Sequence, residues 1–418
     1  MASVSSTSFV TCVLFLLLLH SSSIFHNLCA AKHGAATNRH NRHHRHHHHS
    51  LNPPLNPRLY RAFLALQAWK RVIYSDPRNF TQNWVGPSVC KYTGVYCTAA
   101  LDDRNVTVVA GIDLNFGDIA GFLPNELGLL SDLALLHLNS NRFCGILPMS
   151  LSNLTLLYEL DLSNNRFVGS FPSVVLSLPT LHYLDIRYNE FEGPLPPQLF
   201  NKTFDAIFLN NNRFTSSIPA SLGQSSASVI VFANNKFGGC LPESIVNFAD
   251  TLEEMVLINT SLSGCLPQQV GFLYKLRVLD VSFNKLVGPI PYSLAGLSHL
   301  EQLNLGHNML SGAVPMGVCE LPNLNNFTFS YNFFCEEEGI CQNLTSKNIV
   351  FDDRRNCLPE KPLQRSAKEC NAVLEHPVDC FELCCVGGVS SGSVAISPAA
   401  LTPIGMPVSS PITTPPYP

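Results

Sequence analysis

Three side chains near the middle of this 418-residue chain, His137, Glu159 and Asp161, could together do acid–base chemistry. Paired carboxylates hydrolyse glycosidic bonds when one acts as an acid and the other as a base or nucleophile. Glu159 and Asp161 are two residues apart and would lie about 7 Å from each other on one strand face, which alone is no evidence for such a pair. The sequence contains no G-x-S-x-G, H-E-x-x-H or phosphate-binding glycine loop. We therefore expect a binding protein without enzymatic activity, cofactor or bound metal.

These side chains belong to a phrase, L-x-L-x-x-N-x-F/L-x-G, that recurs every 23 to 25 residues, as in LHLNSNRFCG and LDLSNNRFVG. Repeats of this length and pattern are leucine-rich repeats, in which each coil supplies one strand and stacking buries the apolar residues. The G-x-L/I/F-P that follows, as in Gly193 to Pro196, resembles the plant-specific subclass with a second strand-like segment. The sequence predicts an α/β leucine-rich-repeat solenoid of about ten coils.

The asparagine of the phrase has a structural role, because its amide can satisfy backbone groups of neighbouring coils that would otherwise be buried without partners. Two positions depart from asparagine, and at Thr260 the preceding Asn259 allows a small adjustment of register. The ten positions are Gly117, Asn141, Asn165, Asn189, Asn212, Asn235, Thr260, Asn284, Asn308 and Asn332.

Side chains that alternate with the buried leucines point away from the core and form a candidate ligand surface. Acidic and aromatic residues coincide there, which suits a basic, partly apolar polypeptide. The apolar members Phe208, Val229 and Val231 predict an exposed patch that meets a partner. Alternatively, aspartates such as Asp161, Asp185 and Asp280 only solvate the sheet. The candidate peptide-binding residues are His137, Asn139, Glu159, Asp161, Tyr183, Asp185, Arg187, Phe208 and Val231, and Tyr188, Val229, Glu254 and Val256 extend the surface.

Several features predict a secreted glycoprotein. Residues 9–19 form an apolar run too short to span a bilayer, so residues 1–31 are interpreted as a signal peptide, and no later stretch resembles a transmembrane helix. Seven N-x-S/T sequons predict N-glycosylation in the secretory route. The acceptor residues are Asn79, Asn105, Asn153, Asn201, Asn259, Asn326 and Asn343.

Cysteine usage agrees with an oxidising compartment. Removal of Cys12 and Cys29 with the signal peptide leaves thirteen of the fifteen cysteines, so one is either free or links two chains in a homodimer. Cys240 and Cys265 occur in G-C-L-P at equivalent places of adjacent coils, about 4.8 Å apart, and are predicted to pair. Metal binding competes for the later cysteines, but disulfides are favoured in a secreted chain. The later group is Cys335, Cys341, Cys357, Cys370, Cys380, Cys384 and Cys385.

The amino-terminal part differs in charge from the rest. Residues 1–58 contain five basic side chains and no acidic one, whereas residues 59–418 contain 21 basic and 30 acidic side chains. Residues 32–56 include RHNRHHRHHHH, predicted to be a disordered leader, although the histidines could chelate a metal or become charged in mild acid. After Asn56, apolar residues at spacings of three and four predict an amphipathic cap helix. These are Leu59, Phe63, Leu66, Trp69 and Ile73.

Two further segments resemble parts of a known family. NWVGPSVCKYTGVYC, with Trp84, is similar to the amino-terminal cap of plant repeat proteins, and that cap implies a Cys90–Cys97 disulfide. The segment from Phe333 onward, most specifically Asp352 to Cys370, resembles the cysteine-rich hinge of plant leucine-rich-repeat extensins. The resemblance covers residues 57–385. It implies a cap (57–107), a solenoid (108–334), a cysteine-rich hinge or cap (335–385) and a disordered Ser/Pro-containing tail (386–418).

The resemblance implies a cell-wall protein that is no enzyme. Its repeat domain would bind secreted, basic, cysteine-rich peptides of the rapid alkalinization factor type, and its tail would attach to wall polymers during growth. We expect no nucleic-acid partner. Residues 386–418 depart from the family because they hold no S-P-P-P-P run. The alternative is an inhibitor of fungal polygalacturonases, although such inhibitors usually lack the long hinge, and missing membrane and kinase segments disfavour a receptor kinase ectodomain.

Overall fold

The computed structural model of the protein describes residues 56–347 and 349–380. Several predictions fall outside these residues and are not tested by it. They are the signal peptide (1–31), nearly all of the leader (32–56), the tail (386–418), and Cys12, Cys29, Cys384 and Cys385.

The predicted cap helix is confirmed and spans Pro57–Val72. It begins where the Asn56 side chain accepts hydrogen bonds from the backbone N–H groups of Arg58 and Leu59, at 3.0 and 3.3 Å. This arrangement satisfies two donors at the start of the helix, and Pro57 fits the first turn because its missing N–H needs no partner there. The buried face includes Leu66 and Trp69, which close the amino-terminal end of the core.

A sheet of twelve strands runs the length of the described solenoid. The first two strands are antiparallel, with a shift of register between Tyr96 and Cys97, and the rest are parallel and in direct register with their neighbours. We call it the concave sheet, because strands of leucine-rich repeats line the inside of the solenoid. Its strands are Val95–Ala99, Thr107–Asp113, Leu135–His137, Glu159–Asp161, Tyr183–Asp185, Ala206–Phe208, Val229–Val231, Glu254–Val256, Val278–Asp280, Gln302–Asn304, Asn326–Thr328 and Val350–Asp352.

Second strands, as predicted from the G-x-L/I/F-P segments, form two lateral sheets. The first holds Ala120–Gly121, Arg142–Gly145, Arg166–Ser170, Glu190–Gly193 and Arg213–Phe214, and the second holds Ser263–Cys265, Lys285–Gly288, Met309–Val314 and Phe333–Glu337. They are separate because the coil between them carries Gly238 and Gly239, whose φ angles of 61° and 65° are incompatible with a regular strand.

The outer side of the solenoid consists of short helical turns. A proline precedes each of the repeated turns and fixes the extended backbone at their start. The 3₁₀ turns are Val89–Lys91, Asn125–Leu129, Met149–Asn153, Ser173–Ser177, Pro197–Asn201, Ala220–Gln224, Glu243–Phe248, Gln268–Phe272, Tyr292–Gly296 and Gly339–Lys347, and short α-helices span Met316–Cys319 and Ala367–Leu374.

The asparagines form a ladder inside the solenoid. Asn165 is typical: its Oδ1 accepts from the backbone N–H of Phe143 at 2.9 Å, and its Nδ2 donates to the carbonyl of Leu138 at 2.8 Å. Asn356 makes the same contacts, with the N–H of Phe334 and the carbonyl of Phe329. The repeat therefore continues for one coil beyond the predicted boundary at residue 334, into the segment that the sequence assigns to the hinge.

Disulfides hold the two ends of the described chain. Cys90 pairs with Cys97 in the amino-terminal cap. At the carboxyl-terminal end the pairs are Cys319–Cys341, Cys357–Cys370 and Cys265–Cys380, which confirms a disulfide-rich carboxyl-terminal cap. Within the described residues, Cys335 is a free thiol.

The predicted Cys240–Cys265 disulfide is wrong. Cys265 bonds to Cys380 instead, and Cys240 takes part in a different disulfide. The prediction assumed that both cysteines lie on neighbouring strands of one sheet. Cys240 lies in the coil that separates the two lateral sheets, directly after Gly238 and Gly239, so no strand pairing aligns it with Cys265.

Candidate binding surface

The concave sheet brings the predicted ligand residues together in two rows. Strand register aligns Glu159, Tyr183, Ala206, Val229 and Glu254 in a first row. It aligns His137, Asp161, Asp185, Phe208, Val231 and Val256 in a second row, two residues further along each strand. Neighbouring strands lie about 4.8 Å apart, so a ligand can touch several coils at once.

The amino-terminal part of this surface is polar and accessible. Nε2 of His137 lies 3.0 Å from Oε2 of Glu159, and the side chain of Glu159 is 39% exposed. Asp161 turns towards its own coil, where Oδ1 accepts from the backbone N–H and the hydroxyl of Ser163, at 2.9 and 2.5 Å. Asn139 donates through its amide to the same hydroxyl. Of these two carboxylates, Asp161 is held by its own coil, whereas the Glu159 side chain is partly exposed beside His137.

Asp280 makes the same local contacts as Asp161. Its Oδ1 accepts from the N–H and the hydroxyl of Ser282, and its Oδ2 accepts from the amide of Asn304 at 2.9 Å. Short polar side chains commonly bond to the backbone two residues ahead and so stabilise a turn. These contacts favour a structural role for both aspartates. Asp280 is buried, so it does not solvate the sheet as the alternative interpretation of the sequence supposed.

A buried cluster lies at the middle of the surface. The Asp185 side chain is fully buried, and its Oδ2 lies 3.0 Å from Nε of Arg187. The Arg187 guanidinium stacks over the ring of Phe208 at 5.3 Å, and the Tyr183 ring lies 5.7 Å from the same ring. Burial raises the pKa of Asp185 to about 8, although the charge of Arg187 opposes this effect. Asp185 and Arg187 thus face each other rather than a ligand.

The apolar residues of the surface are covered by their neighbours. Phe208 and Val231 are only 2% and 1% exposed, and Val229 is half-buried. The expectation of an exposed patch is therefore wrong for Phe208 and Val231, since the Tyr183 ring and the Arg187 guanidinium pack against Phe208. The sequence pattern indicates which face these residues occupy but not what covers them.

An aromatic column, which the repeat pattern does not reveal, lies at the carboxyl-terminal edge of the surface. The rings of Phe283, His307 and Tyr331 stack in consecutive coils, with centroids 4.0 and 4.1 Å apart. Each residue precedes the ladder asparagine of its coil and has a positive φ, between 56° and 58°. Burial lowers the pKa of His307 below its ordinary range, against the charge of Asp352. The spacing of 24 residues is the signal that could have revealed this column.

A polar cleft of about 400 Å³ adjoins the strand starts in the same half. Arg277 lines it and donates from Nε and Nη2 to Oε1 of Glu301, at 2.9 and 2.6 Å. The other lining residues are Glu253, Lys275, His299 and Asn323. The lining carries both signs of charge, so the cleft favours a polar ligand over an apolar one.

Within residues 56–347 and 349–380, none of the helices has the length and apolar character needed to cross a membrane.

Comparison with known proteins identifies the family. Models of the leucine-rich repeat match residues 156–178, 180–201 and 250–310. Leucine-rich repeat extensin-like protein 7 of Arabidopsis thaliana is 64% identical over 82% of this chain and 77% of its own length. Pollen-specific leucine-rich repeat extensin-like protein 3 of the same plant is 60% identical over 82% of this chain, which spans 47% of that relative's length.

The solved structures that match include an Arabidopsis receptor kinase, HAESA, in complex with the peptide hormone IDA and a co-receptor. It is similar with a TM-score of 0.60 and 30% identity, over 65% of this chain and 46% of the receptor chain. The match supports the solenoid architecture, while the high identity to the extensin-like relatives over most of the chain decides the family. The chain belongs to the leucine-rich repeat extensin-like family.

Proposed function

We propose that this chain is a secreted cell-wall protein whose concave surface captures a basic, cysteine-rich signalling peptide of the rapid alkalinization factor type. The observation that carries the proposal is the partly exposed Glu159 side chain, which is the register neighbour of Tyr183, next to the buried apolar side chains of Phe208 and Val231. Charges of opposite sign direct the encounter and orient the partner, and aromatic anchors contribute much of the affinity. We assign this surface a binding role and not a catalytic one.

Two further facts support this assignment. Residues 59–418 carry 30 acidic against 21 basic side chains, so the body attracts a cationic partner. The HAESA ectodomain, which shares the fold at 30% identity, is seen with a bound peptide hormone. Attachment of the captured peptide to wall polymers is part of the proposal, because the family is named for extensin-like proteins.

We expect Glu159→Lys, combined with Tyr183→Ala, to weaken binding of a rapid-alkalinization-type peptide by roughly tenfold or more, since loss of one good anchor costs ~1–2 kcal/mol. Isothermal titration of the purified glycoprotein at two salt concentrations measures this, and the salt dependence should fall with the lost charge.

Glu126→Lys combined with Tyr292→Ala is the matched control, because it makes the same two changes, a charge reversal and the loss of a tyrosine ring. Both residues are exposed and belong to outer 3₁₀ turns, away from the concave sheet. Its affinity should equal that of the wild type. If the Glu159→Lys, Tyr183→Ala protein binds the peptide as tightly as the wild type, the proposed surface is wrong. Tight binding of a fungal polygalacturonase, without binding of the peptide, would favour the inhibitor alternative.

A further inference from the structure

The seven sequons are distributed unevenly over the described structure. Every acceptor asparagine is exposed. Asn79 and Asn105 lie in the amino-terminal cap, Asn153 and Asn201 end outer 3₁₀ turns, and Asn343 lies in the carboxyl-terminal cap. The remaining two, Asn259 and Asn326, lie on the concave side, and both belong to the carboxyl-terminal half of the solenoid.

Asn326 is part of the concave sheet itself. It is the first residue of the strand Asn326–Thr328 and pairs with Gln302, in the same row as Glu159 and Tyr183. Thr328, the hydroxyl residue of the sequon, lies on the same face, and its Oγ1 donates to Oδ1 of Asn326 at 3.3 Å. Because side chains at this strand position point out of the sheet, a glycan on Asn326 projects directly into the concave space.

Asn259 is at the rim of the same surface. It precedes the ladder position of its coil, as Phe283, His307 and Tyr331 do in later coils, and like them it has a positive φ, 52°. Its Nδ2 donates to Oδ1 of Asn234 at 3.0 Å. An N-glycan replaces only one of the two amide hydrogens, so this hydrogen bond can persist in the glycoprotein.

By contrast, neither the five strands from Leu135–His137 to Val229–Val231 nor the turns directly after them contain an acceptor asparagine. Four strand spacings of about 4.8 Å give this glycan-free stretch a length of roughly 20 Å. It contains the accessible carboxylate and the aromatic ring on which the proposed function rests.

We infer that N-linked glycans on Asn326 and Asn259 cover the carboxyl-terminal half of the concave surface, including the aromatic column, and confine protein partners to the amino-terminal half. N-glycans are bulky and hydrated, so they keep a partner away from the strand that carries Asn326 and the turn that carries Asn259. Glycan coverage of the carboxyl-terminal half does not depend on the proposed function, whereas the confinement of the peptide to the amino-terminal half rests on it.

Hydroxyl-radical footprinting with mass spectrometry tests the coverage. We expect oxidation of Phe283, His307 and Tyr331 to increase several-fold in Asn259→Gln, Asn326→Gln protein relative to the wild type, while Tyr183 and His137 stay unchanged. Thr328→Ala, combined with Asn259→Gln, should give the same result, because it removes the sequon but keeps the Asn326 side chain. Asn153→Gln removes an outer glycan and should change none of these oxidation rates.

Glycopeptide analysis of the same samples gives the occupancy. Unoccupied Asn326 in the secreted wild type, or equal oxidation of the aromatic column in all variants, overturns the coverage. The confinement has its own test, in which the affinity for a rapid-alkalinization-type peptide stays within twofold when both glycans are absent. A tenfold gain in affinity would place the peptide on the covered half and contradict the confinement, while the footprint would still report the glycans.

Discussion

At the scale of single residues, the ladder asparagines explain why so narrow a repeat stacks stably. Asn284 accepts at Oδ1 from the N–H groups of Thr260 and Leu262, and donates from Nδ2 to the carbonyls of Leu257 and Val281. One side chain therefore satisfies backbone groups of two coils in a place that water does not reach.

Asn284→Ala should lower the free energy of unfolding by ~2–4 kcal/mol, because buried donors and acceptors lose their partners at ~1–3 kcal/mol each. Denaturant unfolding monitored by circular dichroism measures the loss. Asn323→Ala is the control, since Asn323 is exposed and bonds to one carbonyl, that of Ser298. Its effect should stay within ~0.5 kcal/mol. Equal stability of the two variants would show that the ladder contributes little.

The ladder also shows which parts of the fold the repeat phrase predicts and which it does not. Its asparagines and the strand before each of them follow from the spacing of the phrase. Asn356 was missed because Asp353 occupies an apolar position of the phrase, so the coil no longer matches by pattern although its hydrogen bonds are the same. At Thr260 the hydroxyl donates to the carbonyl of Leu257 and contacts Asn284. Threonine therefore makes the hydrogen bond within its own coil that a ladder asparagine would make, and Asn259 does not take over the ladder position.

At the scale of elements, the carboxyl-terminal cap depends on a connection that no local pattern reveals. Cys265 and Cys380 are 115 residues apart in the chain, and the bond ties the second lateral sheet to the segment after the helix Ala367–Leu374. That helix begins with a capping box, in which Ser366 and Glu369 bond to each other's backbone N–H groups. The sequence alone could not favour this pairing, because many partners were open to each cysteine.

Replacing both Cys265 and Cys380 by serine should destabilise the protein by ~2–4 kcal/mol, as is usual for a disulfide that closes a long loop. We expect the melting temperature to fall, and limited proteolysis to cut first near residues 371–380. The double replacement avoids leaving a reactive thiol behind. Cys335→Ser is the control, since Cys335 is already a free thiol, and its melting temperature should match that of the wild type.

At the scale of the whole solenoid, the sequence predicted which residues share the candidate surface, but not which of them are buried or paired with each other. Alternation along the strands placed His137, Glu159, Tyr183 and Phe208 on one face, and register brings them together. Burial and pairing depend on side chains from neighbouring coils, such as Arg187 over Phe208, and a repeat pattern does not specify those contacts. The aromatic column was missed for the same reason, because its three rings have different residue types and only their positions repeat.

A solenoid is held together by contacts between adjacent coils, so it opens first where such contacts are weakest. We expect that place to be the coil with Gly238 and Gly239, where the first lateral sheet ends and the second has not begun. We call the contact between this coil and the next one the seam. The next coil carries Thr260 in place of a ladder asparagine, and the described bonds across the seam include that from the Gly238 N–H to the Thr260 carbonyl, at 3.0 Å.

We expect the amides of residues 236–240 to exchange hydrogen at least tenfold faster than those of residues 190–193, which occupy the corresponding place in the first lateral sheet. Thr260→Asn should slow this exchange, because a longer amide can accept from the Phe237 N–H and donate to the Phe232 carbonyl, as Asn235 does in the coil before. The change keeps the Asn259 sequon intact. Hydrogen exchange with mass spectrometry measures both effects, and Thr180→Asn, in an outer loop, should leave the seam unchanged. Exchange at residues 236–240 as slow as at residues 190–193 would contradict a weak seam and imply that the solenoid opens from its ends.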